Sequence, residues 1–195
     1  MTETELAALA ADVRYLKDRA GIIDALNRYT RGLDRLDRAL CLSAYHPDAT
    51  DDRGAPIDPV GQEARGMFRF GREARVDWLI DLLSTFHHTS HHISNFTIEI
   101  EGDEAHSEAY VITSVIETEG ANEVVMGGAR YVDRLVRHEG RWAIMHREVI
   151  MDYQYVVPTR YLAPEMVTGR RDASDRSYAR PLALTPEALA RVGTA

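Results

Sequence analysis

The stretch His87-His88-Thr89-Ser90-His91-His92-Ile93-Ser94-Asn95 holds four of the chain's eight histidines and runs straight into Phe96-Thr97-Ile98-Glu99-Ile100. The second half alternates apolar and polar residues, the period of a half-buried β-strand. Imidazoles at the mouth of a strand sit on a rigid element, and their ordinary pKa suits proton transfer near neutral pH. By strict alternation from Phe96, Ile98 and Ile100, His92 shares the apolar face and His91 does not. A bulge near Ser94-Asn95 would reverse that assignment, and bulges are common beside active sites.

Downstream, strands are predicted over 91–101, 104–117, 123–137 and 141–152. Gly102-Asp103 makes the first turn and His138-Glu139-Gly140 the third. The last of these strands is apolar at both parities, so one face is expected on the core and the other against a second subunit. Upstream, Leu6, Leu9, Val13 and Leu16 recur at helical spacing, and Ile22, Ile23, Leu26, Tyr29, Thr30 and Leu33 mark a second helical stripe beyond Gly21, a possible break. A short helix over about 37–45 is expected to stop at the turn signal His46-Pro47-Asp48, and 72–84 reads as another helix, with Val76, Leu79, Ile80 and Leu83 inward. Residues 50–71, rich in Gly and Pro, read as a long loop of the kind that forms lids, with a short strand at 65–70. Helices followed by meandering strands predict an α+β domain, helices laid on one face of a curved antiparallel sheet. Residues 158–183 read as an extended arm, followed by a small helix around 185–192 that Thr185-Pro186-Glu187 would cap.

The length of 195 residues fits one domain plus a tail, and the net charge of −8 argues against nucleic-acid or anionic-membrane partners. Cys41 is the single cysteine, which excludes a disulfide framework and a thiolate metal cluster. Its place in an apolar helical run reads as a small core residue. No basic leader or apolar run of about 20 residues is present, so a cytoplasmic location is expected.

The order of motifs resembles the SnoaL-like branch of the nuclear-transport-factor-2-like superfamily. The resemblance rests on Asp18-Arg19 with Ile22-Ile23-Asp24, on Tyr29 through Asp34-Arg35-Leu36-Asp37, and on Tyr45-His46-Pro47-Asp48-Ala49. It continues through Thr89-Ser90-His91 to Asn95, Gly102-Asp103-Glu104-Ala105, Gly128-Ala129-Arg130-Tyr131-Val132-Asp133 and Gly140-Arg141-Trp142 to His146-Arg147. It covers about 5–157 and implies a cone-shaped α+β domain over 1–157 enclosing a pocket, with 158–195 as arm and short helix. Members of the family include dehydratases, a dehydrochlorinase, isomerase-like enzymes, polyketide cyclases and non-catalytic subunits, so the resemblance bounds the reaction loosely.

By that resemblance, Asp34 orients His91 as a general base, Tyr29 lines the pocket, and Arg147 reaches into it to bind or polarise the substrate. His92 is the second choice for the base. His92, His88, Tyr153 and Tyr155 are expected to contact substrate. Tyr153, Tyr155, Tyr161 and Tyr178, with Arg160, Arg170 and Arg171, read as an arm that would fold over the pocket mouth or embrace a neighbour. The His-Xaa3-His spacing of His87 to His91 and His88 to His92 suits zinc on a helix, but the metalloprotease glutamate is missing and the stretch enters a strand. Neither metal nor cofactor is expected. These readings converge on a cofactor-independent lyase acting on a small cyclic or aromatic hydroxylated substrate, as a homo-oligomer (dimer or trimer). The alternatives are an isomerase or polyketide cyclase, or a non-catalytic subunit resembling the β-subunits of ring-hydroxylating dioxygenases.

Overall fold

The computed structural model describes residues 1–52, 71–119, 122–159, 168–186 and 189–190. They divide into two compact units, Met1–Tyr161 and Leu162–Ala195. In the first unit the helices are α1 (Glu3–Asp34), α2 (Arg38–Leu42) and α3 (Arg72–Ser84), and the strands are β1 (Tyr45–Asp52), β2 (His88–Glu101), β3 (Glu104–Ile116), β4 (Glu123–His138) and β5 (Arg141–Pro158). The five strands form one curved, open sheet in the order β1-β5-β4-β3-β2. β1 runs parallel to β5 and every other pairing is antiparallel, so the sheet is mixed.

α1 is a single helix of 32 residues, opened by a capping box in which Thr2 and Glu5 satisfy each other's backbone N–H groups. Gly21 does not interrupt it. A Cβ there would lie 2.9 Å from Cδ1 of Trp142, so the glycine lets the indole close on the helix. Beyond it Ile22, Leu26, Tyr29 and Leu33 are fully buried and pack against Ala109, Val111, Ala129, Tyr131, Leu135 and Ile144 of the sheet. Val76, Leu79 and Leu83 of α3 close the same core.

The expected turn at His46-Pro47-Asp48 lies inside β1. The strand pairs with β5 at Tyr45 and again from Thr50, with an irregular register between. An edge strand tolerates proline because one side of its backbone has no ladder to feed. β5 continues six residues beyond its expected end at 152, so Tyr153 and Tyr155 belong to the sheet and not to an arm. The expected lid and the strand at 65–70, together with Arg160 and Tyr161, lie outside the described residues, apart from the ends of 50–71.

The second unit holds a 3₁₀ turn, Arg176–Tyr178, organised by Asp175, whose carboxylate accepts from the backbone N–H groups of Arg170 (2.8 Å) and Ser177 (2.9 Å). A further turn begins at Pro186, with Leu189 N–H donating to Thr185 O at 2.9 Å. Among the described residues no helix is long and apolar enough to cross a membrane.

Candidate active site

Three consecutive backbone facts position His91. On β2, His91 pairs with Thr113 and Ile98 pairs with Ser107. The two lie seven residues apart on β2 and their partners six apart on β3, so one extra residue sits between Ser94 and Thr97. Asn95 takes up that residue at φ +52°, a left-handed conformation that asparagine adopts more readily than most. The bulge therefore puts His91, Ile93 and Ile98 on the core face together and turns His92 to the other side.

Asp34 is the last residue of α1. A carboxylate there opposes the negative end of the helix dipole, so helix stability does not explain it. Three donors do. A carboxylate can only accept, so Nδ1–H of His91 donates to Oδ1 at 2.6 Å, and Thr89 Oγ1–H donates to the same oxygen at 3.3 Å. The backbone N–H of His91 donates to Oδ2 at 2.9 Å. Both side chains are largely shielded, 10% exposed for His91 and 14% for Asp34. The tautomer is thereby fixed with Nε2 as the basic nitrogen. Just beyond Asp34 the chain reverses through Leu36 at φ +52°, and Asp37 caps α2 by accepting from Leu40 N–H at 2.9 Å.

Tyr29 and Arg147 form a second cluster. Arg147 is fully buried, makes a bidentate pair with Asp133 (2.6 and 2.8 Å), and lies over the rings of Tyr29 (4.3 Å) and Tyr131 (4.2 Å). Burial works against the cation, but the Asp133 carboxylate outweighs it and holds the guanidinium above the ordinary arginine pKa. Nη1 of Arg147 and Oγ of Ser107 are buried with no hydrogen-bond partner among the described residues. Tyr45 meets Tyr29 edge-on at 5.6 Å and donates to Asp51 at 2.8 Å, and Asp51 pairs with buried Arg75 at 3.2 Å. Burial pushes the Tyr45 phenol well up, and the Asp51 charge adds to it. The interior beside Tyr29 is thus strongly polar.

His88, His92, Tyr153 and Tyr155 are not brought to this site. His92 pairs with Ile112, Ile112 with Gly128, and Gly128 with Tyr153, a row on the outer face of the sheet. A Cβ on Gly128 would strike the Tyr153 ring at 2.2 Å, so that ring lies flat over the glycine, and Tyr155 stacks beside it at 5.7 Å. His88 pairs with Ile116 in the same parity. The register places these four on the face of the sheet opposite His91. Among the described residues, no group of three or more His, Cys, Asp or Glu is arranged to hold a metal.

Sequence reasoning missed Thr89 and Asp133. Thr89 lies two residues before His91 and so on the same face, and Asp133 is the charged member of an otherwise apolar, buried parity, Ala129, Tyr131 and Leu135. Both signals were present in the alternation.

The sequence over residues 14–148 matches the family described as the SnoaL-like domain. The chain belongs to that family. No curated protein matches it in sequence. Among solved structures, a hexachlorocyclohexane dehydrochlorinase of type 2 superposes at a TM-score of 0.64 with 22% identity, over 80% of this chain and 99% of that one. A candidate scytalone dehydratase from Novosphingobium aromaticivorans gives 0.57 and 22%, over 86% and 99%. A candidate aromatic ring hydroxylase from the same organism gives 0.60 and 22%, over 74% and 94%. At this identity the likeness is one of fold, and it agrees with the SnoaL-like assignment.

Proposed function

We propose that this SnoaL-like protein is a lyase that eliminates a small group from a cyclic or aromatic hydroxylated molecule without a cofactor, in the breakdown of such compounds. The observation that supports this most is the short His91–Asp34 hydrogen bond, which leaves Nε2 of a shielded imidazole as the base. Nε2 takes a proton from carbon, the C–H electron pair becomes the new double bond, and the C–O bond to the β-hydroxyl breaks. The imidazolium, stabilised by Asp34, returns its proton to the departing oxygen, so water leaves and the imidazole is regenerated. Arg147, through Nη1, and Tyr29, through its phenol, hold and polarise a substrate oxygen. The same base removing a hydroxyl proton would drive retro-aldol loss of formaldehyde, and a halide leaving group would need no proton. The dehydrochlorinase and dehydratase among the structural neighbours are consistent with elimination chemistry.

The test is turnover of a panel of hydroxylated steroids, aromatic diols and halogenated rings by chelator-treated protein, read by product mass. Loss of water, formaldehyde or hydrogen halide supports the lyase. A product of unchanged mass replaces it with an isomerase or cyclase.

A further inference from the structure

α1 carries two apolar stripes, and among the described residues only one is buried. From Asp18 onward, Ile22, Leu26, Tyr29 and Leu33 face the sheet and are buried. Residues 1–17 are exposed throughout, and Leu6, Leu9, Val13 and Leu16 keep between 47% and 61% of their surface in water. At 3.6 residues per turn the exposed stripe points roughly 150° away from the buried one. It is therefore not the continuation of the seam that holds α1 to its own sheet. A helical arm of about 15 residues, some 22 Å long, is marginal in water without packing. Most of it also precedes residue 14, where the SnoaL-like match begins.

The spacing of the stripe, 6-9-13-16, is that of the a and d positions of a coiled coil, so the surface fits another helix. The flanking charges say which one. With Leu6 at an a position, Glu3, Ala10 and Lys17 fall on one edge of the seam and Glu5, Asp12 and Arg19 on the other. If a second α1 runs antiparallel, Leu6 packs on Leu16 of the second copy and Leu9 on its Val13. Glu3 then meets Lys17, twice by symmetry, and Ala10 meets Ala10; Glu5 also comes opposite Arg19, although within the chain Glu5 already accepts from Thr2 N–H and Arg19 donates to Phe96 O. The one unfavourable contact is Asp12 with itself across the axis. A parallel pair offers the arm only Asp12 to Lys17. Its next edge contact is Arg19 to Asp24, and Asp24 is already paired with Arg28 within the chain. A parallel pair would also bring both globular bodies to the same end. In the antiparallel pair the bodies hang from opposite ends, on the sides of the helices away from the seam.

We propose that the N-terminal arm of α1 docks antiparallel on the same arm of a second copy of this chain, through Leu6, Leu9, Val13 and Leu16. This contact is separate from the outer face of the sheet, which a further subunit could still use.

Sedimentation equilibrium of the full chain tests it. Leu9→Glu with Val13→Glu halves the mass, with the near-ultraviolet dichroism of the folded core preserved because neither side chain touches it. Glu3→Lys and Lys17→Glu each weaken association alone and recover it when the two proteins are mixed. Asp12→Asn tightens it. A mass unaffected by the Leu9/Val13 substitutions overturns the proposal. So does weakening by Asp12→Asn, which would mean a parallel pair, or binding of the wild-type arm to phosphatidylglycerol vesicles without any change in mass.

Discussion

Asp34 receives both ends of His91: the imidazole Nδ1–H at one carboxylate oxygen, 2.6 Å, and the backbone N–H at the other, 2.9 Å. The carboxylate thus fixes the ring and the strand that carries it, which ties the helix end to the strand mouth across 57 residues of sequence. Replacing Asp34 by Asn keeps the shape but gives Nδ1–H either a weaker acceptor or an opposing NH2. Activity is expected to fall on the order of 10²-fold, mainly in kcat, since the loss is felt when the imidazolium forms. Steady-state kinetics of Asp34→Asn, with circular dichroism to show an intact fold, checks this.

Asn95 sets which histidine faces the core. Asn95→Gly keeps the left-handed residue at φ +52° and leaves the register alone. Asn95→Val puts a β-branched residue there at a cost of about 1–2 kcal/mol. Urea unfolding is expected to show that loss for valine and near-wild-type stability for glycine. If both variants matched wild type, the bulge would not be under strain at Asn95.

The Asp133–Arg147 pair is fully buried. Removing one partner leaves an uncompensated charge, so Asp133→Ala is expected to cost about 3–5 kcal/mol. Replacing both, by Asp133→Leu with Arg147→Met, should recover much of that stability while abolishing activity. Denaturant midpoints of the single and double variants decide it.

Gly32 lies against α2: a Cβ there would sit 2.6 Å from the backbone N of Cys41 and 2.7 Å from its Cα. Helix propensity alone would favour Gly32→Ala by about 1 kcal/mol. The clash is with backbone and cannot swing aside, so overpacking of about 1–3 kcal/mol should win and the variant be less stable. A raised thermal midpoint would show that α2 yields.

Acid stability has a defined contributor in Asp18, which accepts from Arg137 at 2.8 Å and Trp142 Nε1 at 3.1 Å. Burial works against its charge, but these hydrogen bonds outweigh it and hold the carboxyl below the ordinary aspartate value. With the folded pKa depressed, the stabilisation is complete above the unfolded value of about 3.9 and is lost as pH falls through the folded one. Asp18→Asn should lower stability at neutral pH and flatten the acid limb of a thermal-midpoint profile.

The helices and four antiparallel strands were legible because each has a clean period: Val76, Leu79 and Leu83 at helical spacing, or the alternation through Phe96 to Ile100. β1 was not, because His46-Pro47-Asp48 mimics a turn, the sequence after it is rich in Gly and Pro, and its pairing to β5 is parallel and non-local. In the site, Asp34 and His91 followed from the family motif, but the residue that reconciles His91 with the alternation is Asn95, whose effect is a single inserted residue. Tyr153 and Tyr155 were read as arm because the strand was expected to end at 152, and a strand apolar at both parities does not declare which side is the core. Only pairing with Gly128 and Ile112 does so.

The central claim is that His91, and not His92, is the base of an elimination. The direct measurement is product mass spectrometry with wild type, His91→Ala and His92→Ala on a substrate the wild type turns over. The account predicts elimination by wild type and His92→Ala, and a loss of roughly 10²–10⁴-fold in His91→Ala. Wild-type turnover by His91→Ala would contradict it.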